Sequence, residues 1–255
     1  GTSYRHSLIQ DHGEVIDLVQ PHDVLGQVIG QHLPKQDKFR RMMERSYEIL
    51  KNHPINIERK KKGLNPANCC WFWGAGTKPM LDDFYTKTGK KGAMISAVDL
   101  LKGIAIGAGM NVIEVEGANG GLNTNYTGKK DAAVKALLED DNDFVYIHVE
   151  APDEMGHQGS YERKIKSIEN IDAYIVGPLV EELQGRDVDF RLLVLPDHPT
   201  PVRLRTHTSD AVPYMLYDST MEVSGHAGYS EKIAKETDNY FDEGYMLMKH
   251  FLEEE

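Results

Sequence analysis

From residue 69 onward, short apolar runs alternate with amphipathic stretches, and this alternation constrains the fold more than any other feature. Apolar runs at 69–73, 91–97, 111–115, 143–150, 189–195 and 212–217 read as strands. The stretches 98–109, 129–139, 163–184 and 241–253 between and after them read as helices. Strands buried on both faces and separated by helices predict a mostly parallel α/β sheet with helices on both faces. Ligands of such sheets bind beyond the carboxyl ends of the strands, so chemistry is expected just after each strong strand.

The first quarter of the chain has a different texture. Residues 1–34 read as short strands and loops. Residues 35–52 predict a helix, because Phe39, Met42, Met43, Tyr47 and Leu50 recur at spacings of three and four. Residues 53–68 are polar and contain Arg59-Lys60-Lys61-Lys62-Gly63, which reads as a solvated linker or domain crossing. A boundary near 66/67 follows, with one domain over 1–66 and a second over 67–255.

Charge and cysteine usage narrow the function classes. Lys and Arg total 29 against 40 Asp and Glu, a formal net charge of −11. That balance opposes nonspecific binding to nucleic acid or anionic membranes. No apolar run reaches membrane-spanning length, and the N-terminus lacks a basic-then-apolar signal pattern. The two cysteines, Cys69 and Cys70, are adjacent and form no CxxC pattern. Nothing asks for an oxidising compartment, and a cytoplasmic protein is expected.

Three segments carry the candidate chemistry. Strand 143–150 is followed by Asp153-Glu154-Met155-Gly156-His157, strand 189–195 by Asp197-His198, and strand 212–217 is preceded by His207. Carboxylate and imidazole without thiolate suit Zn²⁺, Mn²⁺ or related divalent ions. Asp153, His157, Asp197, His198 and His207 exceed the needs of one catalytic ion and fit a pair that could clamp a phosphoryl group. The bland alternative for any one segment is a capping carboxylate beside an exposed imidazole, and Asp153 alone could be an N-cap. The coincidence of three segments on one predicted edge favours a metal site. His148 reads as a strand residue packed in or near the core, and His226 as a residue of a flexible loop. Neither Gly117–Gly121 nor 74–78 has the spacing of a dinucleotide fingerprint or a P-loop.

Several runs also resemble a known family. Val149-Glu150-Ala151-Pro152-Asp153-Glu154-Met155-Gly156-His157, Leu193-Val194-Leu195-Pro196-Asp197-His198-Pro199-Thr200-Pro201 and Leu204-Arg205-Thr206-His207-Thr208 are similar to segments of the archaeal-type cofactor-independent phosphoglycerate mutases. Ile95–Gly103, Thr124-Asn125-Tyr126 and Tyr4-Arg5-His6 add to the resemblance, which runs in order along nearly the whole chain. It implies an alkaline-phosphatase-like fold with the remnant of an inserted α+β domain. It implies two divalent ions (Mn, Zn or Mg), no 2,3-bisphosphoglycerate, and phosphoglycerate as substrate. Asp153, His157 and His207 would hold one ion, and Asp197 and His198 the other. Lys102 resembles the lysine that stabilises the transferring phosphoryl group, and Arg5 a substrate-binding arginine. In the family a serine is transiently phosphorylated, and this glycolytic reaction is an isomerisation of 3- and 2-phosphoglycerate.

The family's nucleophilic serine and its first metal-binding aspartate find no counterpart here. Ser96 follows a strand but lies in a motif matching another family segment, so it is not nominated. The chain therefore resembles the C-terminal portion of the family. It is expected to be inactive alone and to form homo-oligomers, or be marginally stable, through uncovered sheet surface. The alternatives are a metal-dependent phosphatase or phosphomutase acting on another phosphate ester, and a non-catalytic metal-binding module.

Overall fold

The computed structural model describes residues 6–24, 26–221, 225, 228–237 and 239–253. The chain divides into two compact units, 1–79 and 80–255. No helix among the described residues is long and apolar enough to cross a membrane.

In the first unit, α1 (Asp37–Leu50) buries Met43 on its apolar stripe. The polar segment after it, expected as a linker, instead forms α2 (Pro54–Lys61). Pro54 stands in the first turn, where its missing N–H costs nothing, and the His53 ring accepts from the Ile55 amide. The buried Asn56 donates to the carbonyls of Leu50 and Ala67 at 2.8 and 2.7 Å and accepts from the Ala67 amide at 2.9 Å. That stitching turns a polar run into an ordered corner. Residues 69–73 are not a strand. The Ser46 hydroxyl takes the Cys70 amide at 2.8 Å, so helix α1 rather than a neighbouring strand satisfies that N–H.

In the second unit, α3 (Phe84–Thr88) precedes β1 (Gly92–Ile95), α4 (Asp99–Gly107) and β2 (Asn111–Val112). Next come α5 (Tyr126–Leu138), β3 (Phe144–Ile147), α6 (Ala151–His157) and α7 (Tyr161–Ile171). A π turn (Asp172–Val176) links α7 to α8 (Gly177–Gly185). The chain ends with β4 (Arg191–Val194), β5 (Met215–Asp218), α9 (Glu231–Ala234) and α10 (Tyr245–Leu252).

β1 is the fully buried centre of a three-stranded parallel sheet in the order β2–β1–β3, with Ala93 opposite both Asn111 and Val145. The α/β expectation holds. β4 and β5, however, pair antiparallel in a separate two-stranded sheet, Leu193 opposite Leu216. A core of Val134, Leu179 and Leu183, with Leu138, Ile147, Phe190 and Leu192 against it, joins α5 and α8 to β3 and β4.

The single helix expected over 163–184 is interrupted. Pro178 has no N–H to give the carbonyl of residue 174, and the Gly177 amide reaches back to Asp172, one residue further than α geometry allows. Strands are shorter than their apolar runs. The run 143–150 yields a four-residue strand, because Glu150 already caps α6.

Candidate metal centre

Helix α6 begins four residues beyond the carboxyl end of β3. Asp153 and His157 stand four residues apart on it, which stacks them on one face. The Asp153 carboxylate lies 3.3 Å from His157 Nε2 through one oxygen and 3.3 Å from His207 Nε2 through the other. The two imidazole Nε2 atoms are 3.1 Å apart. One ligand atom from each of the three residues lies within 4.8 Å of the other two.

A carbonyl fixes the tautomer of His157. Its Nδ1 lies 2.9 Å from the oxygen of Arg205, which can only accept, so Nδ1 carries the proton. In the neutral form of the ring the lone pair would lie at Nε2, the nitrogen on the side of Asp153 and His207. Orientation of an imidazole through its other nitrogen is the usual support of a metal ligand. Arg205 itself has φ 55°, a left-handed conformation that is uncommon for a residue with a side chain and that aims its carbonyl.

The segment between β4 and β5 brings the remaining groups. Leu204 and Arg205 both give their amides to the Pro201 carbonyl at 2.9 Å, and Thr208 bonds back to Pro199 at 3.1 Å. This closed loop returns His207 to α6. The rings of His198 and His207 are 3.7 Å apart, and His198 Nε2 is 3.1 Å from the Asp197 carboxylate. Thr200 links the two halves: its hydroxyl donates to Asp153 and lies 3.4 Å from His198 Nδ1. The five side chains thus occupy one rim. Asp153 is 25% exposed and Asp197 55%, so the cluster opens to solvent on the Asp197 side.

Close backbone approach makes this possible. A Cβ on Gly156 would stand 2.5 Å from the Thr200 carbonyl, and a Cβ on Gly159 would collide with the Arg205 guanidinium. Lys164 donates to the same Thr200 carbonyl at 2.7 Å, and burial holds its ammonium below the ordinary lysine value.

Beneath the rim, Ser96 accepts the Val98 amide at 3.0 Å and lies 3.2 Å from His148 Nδ1. His148 stands just past β3 and is half-buried; burial depresses its pKa. Lys129, on α5, is fully buried and donates to the His148 carbonyl at 2.7 Å. Burial lowers its pKa to about 8, partly opposed by Glu150. Lys102 is paired with Glu114 at 2.7 and 2.8 Å. Arg5 and His226 lie outside the described residues.

Sequence reasoning passed over Thr200, Arg205, Lys164 and Lys129. Thr200 has a weak signal in standing two residues after Asp197-His198. Lys129 falls in the stretch 129–139 read as a helix, with nothing there to single it out, and nothing local marks Arg205 as left-handed.

The chain belongs to the metalloenzyme superfamily, whose family model matches residues 33–242. The model of the 2,3-bisphosphoglycerate-independent phosphoglycerate mutases matches residues 1–56. A protein of that name from Methanosarcina mazei is 48% identical over 222 residues, 85% of this chain and 55% of its own length. Another from Methanothrix thermoacetophila is 42% identical, covering 98% of this chain and 64% of its own length. A solved protein of Pyrococcus horikoshii superposes with a TM-score of 0.64 at 31% identity, over 76% of this chain and 50% of that one. The chain thus spans 55% to 64% of the two named relatives.

Proposed function

We propose that the rim cluster holds two divalent ions and that the whole protein interconverts 3- and 2-phosphoglycerate through a phosphoserine. The observation that carries this is the convergence of Asp153, His157 and His207 within 4.8 Å, with the His157 lone pair turned inward by the Arg205 carbonyl. The donor set fits such ions: carboxylate and imidazole, no thiolate, and a fixed tautomer. Asp153, His157 and His207 would hold one ion; Asp197 and His198 would contribute to the other. When bound, the ions would neutralise charge on a transferring phosphoryl group and lower the pKa of an attacking hydroxyl.

The chain's own residues supply positioning. Thr200 orients the Asp153 carboxylate, Arg205 sets His157, and the Gly156 contact holds α6 against the Thr200 segment. Lys102 would exchange Glu114 for a phosphoryl oxygen when substrate is present. Arg5 would bind the substrate carboxylate or phosphate. We read 1–66 as part of an inserted substrate-binding domain and 67–255 as the metal-binding domain. Manganese, a glycolytic role, a cytoplasmic location and a homo-oligomer belong to the same proposal.

A second reading is metal-dependent phosphoryl transfer on another phosphate ester, since the superfamily whose model matches 33–242 names no substrate.

Among the described residues, no serine is hydrogen-bonded to the cluster, and Ser96 is engaged with His148. The 255-residue chain is therefore expected to bind divalent ions without converting 3-phosphoglycerate. The assay compares this chain with the protein over its complete coding length, both loaded with Mn²⁺. Conversion by the complete protein alone supports the mutase reading. Hydrolysis of other phosphate esters without conversion favours the second reading. Conversion by the 255-residue chain refutes the assignment of the nucleophile outside it.

A further inference from the structure

Lys129 has no part in the chemistry above and occupies an expensive position. It shares the inner face of α5 with Ala133 and Ala136, all of them fully or almost fully buried. An apolar side chain there would carry no desolvation penalty, whereas a buried ammonium is costly unless it is well partnered. Its partners lie at one place. The ammonium donates to the His148 carbonyl at 2.7 Å and is attracted by the Glu150 carboxylate. The ring of the same His148 is held by Ser96 at 3.2 Å. Glu150 is the cap of α6, and its carboxylate lies so close over Gly120 that a Cβ there would collide with it. His148–Glu150 is the corner at which β3 gives way to α6, and Asp153 and His157 follow immediately.

We propose that Lys129 is a positioning residue: an internal strut from α5 that fixes the β3–α6 corner and thereby holds Asp153 and His157 at ligand spacing. This rests on the metal-binding reading of the cluster. Two residues separate the corner from Asp153, and α6 transmits a shift of the corner to both side chains as a rigid unit. An apolar residue at 129 would fill the space but leave the His148 carbonyl without its donor.

The test uses the 255-residue chain, Mn²⁺ titration calorimetry and the visible spectrum of Co²⁺. Lys129→Met is expected to bind Mn²⁺ at least about tenfold more weakly than wild type, in the range of lost metal-site supports, and to shift the Co²⁺ bands. Leu183→Ala, which loosens the core between α5, α8 and β4, is the control for a general loss of stability. It is expected to lower the melting temperature yet to weaken Mn²⁺ binding clearly less than Lys129→Met does, since it removes no donor from the β3–α6 corner. Wild-type affinity and an unchanged Co²⁺ spectrum in Lys129→Met overturn the inference. An equal loss of affinity in Leu183→Ala overturns it too, by assigning the effect to general loosening. Should Lys129→Met not fold, Glu150→Gln replaces it, with about tenfold weaker Mn²⁺ binding expected for a supporting contact; unchanged binding there counts against the strut. Failure of the wild-type chain to bind Mn²⁺ removes the cluster reading itself, and this inference with it.

Discussion

His157 and Asp153 owe their arrangement to groups outside the candidate ligand set. The Arg205 carbonyl fixes the proton of His157, and the Thr200 hydroxyl holds one oxygen of Asp153. Thr200→Val keeps the shape and removes that hydroxyl; about tenfold weaker Mn²⁺ binding is expected by calorimetry, as for other lost supports of a metal ligand. Gly156→Ala places a methyl 2.5 Å from the Thr200 carbonyl, a backbone atom that cannot turn aside. The substitution should cost about 1–3 kcal/mol in a denaturant titration, the usual range for overpacking. Asp153, His157, Asp197 and His198 stood out in the sequence because they follow apolar runs, where α/β sheets place their ligands, whereas His207 precedes one. Their supports did not stand out. Thr200 differs from any loop threonine only through a partner 47 residues away, and nothing in the stretch 129–139 singles out Lys129.

At the scale of elements, α6 is short, yet its four-residue spacing does what a longer helix would do for Asp153 and His157. Among the described residues the apolar runs located each strand of the second unit but overstated the lengths, because caps and turns claim the ends. Glu150 is one such case. The run 69–73 misled for a related reason: its Cys70 amide is met by the Ser46 hydroxyl, and among the described residues no strand pairs with the run. The broken helix at Pro178 could have been read, since proline removes a ladder donor. The hairpin of β4 and β5 carries a titratable tie. Two bonds from Thr220, followed by Arg191, hold the Asp218 carboxyl down from 3.8 to about 2. A depressed carboxylate stabilises the fold above its unfolded pKa, and the contribution disappears as pH falls from near 3.8 toward 2. Asp218→Asn should therefore remove part of the stability difference between about pH 5 and about pH 2.5 seen by denaturant unfolding. An Asn variant with the same acid sensitivity as wild type contradicts this.

At the scale of the whole molecule, two sheets meet through the α5–α8 core rather than through shared strands, so side-chain packing joins β3 to β4. The cluster draws one half from each side of that junction. Leu183→Ala is expected to cost about 2–5 kcal/mol in a denaturant titration, the range for a buried leucine. The charge balance of −11 is compatible with an anionic substrate only if the rim is locally positive, and two bound divalent ions would make it so.

Mn²⁺ titration of the chain beside its Asp153→Asn variant goes most directly to the metal centre. The wild-type chain should bind the ion, and the variant, which keeps its shape and loses the carboxylate shared by His157 and His207, should bind at least about a hundredfold more weakly (a ~3 kcal/mol loss). Equal binding by the two proteins, or none by the wild type, would contradict a divalent ion held by Asp153, His157 and His207.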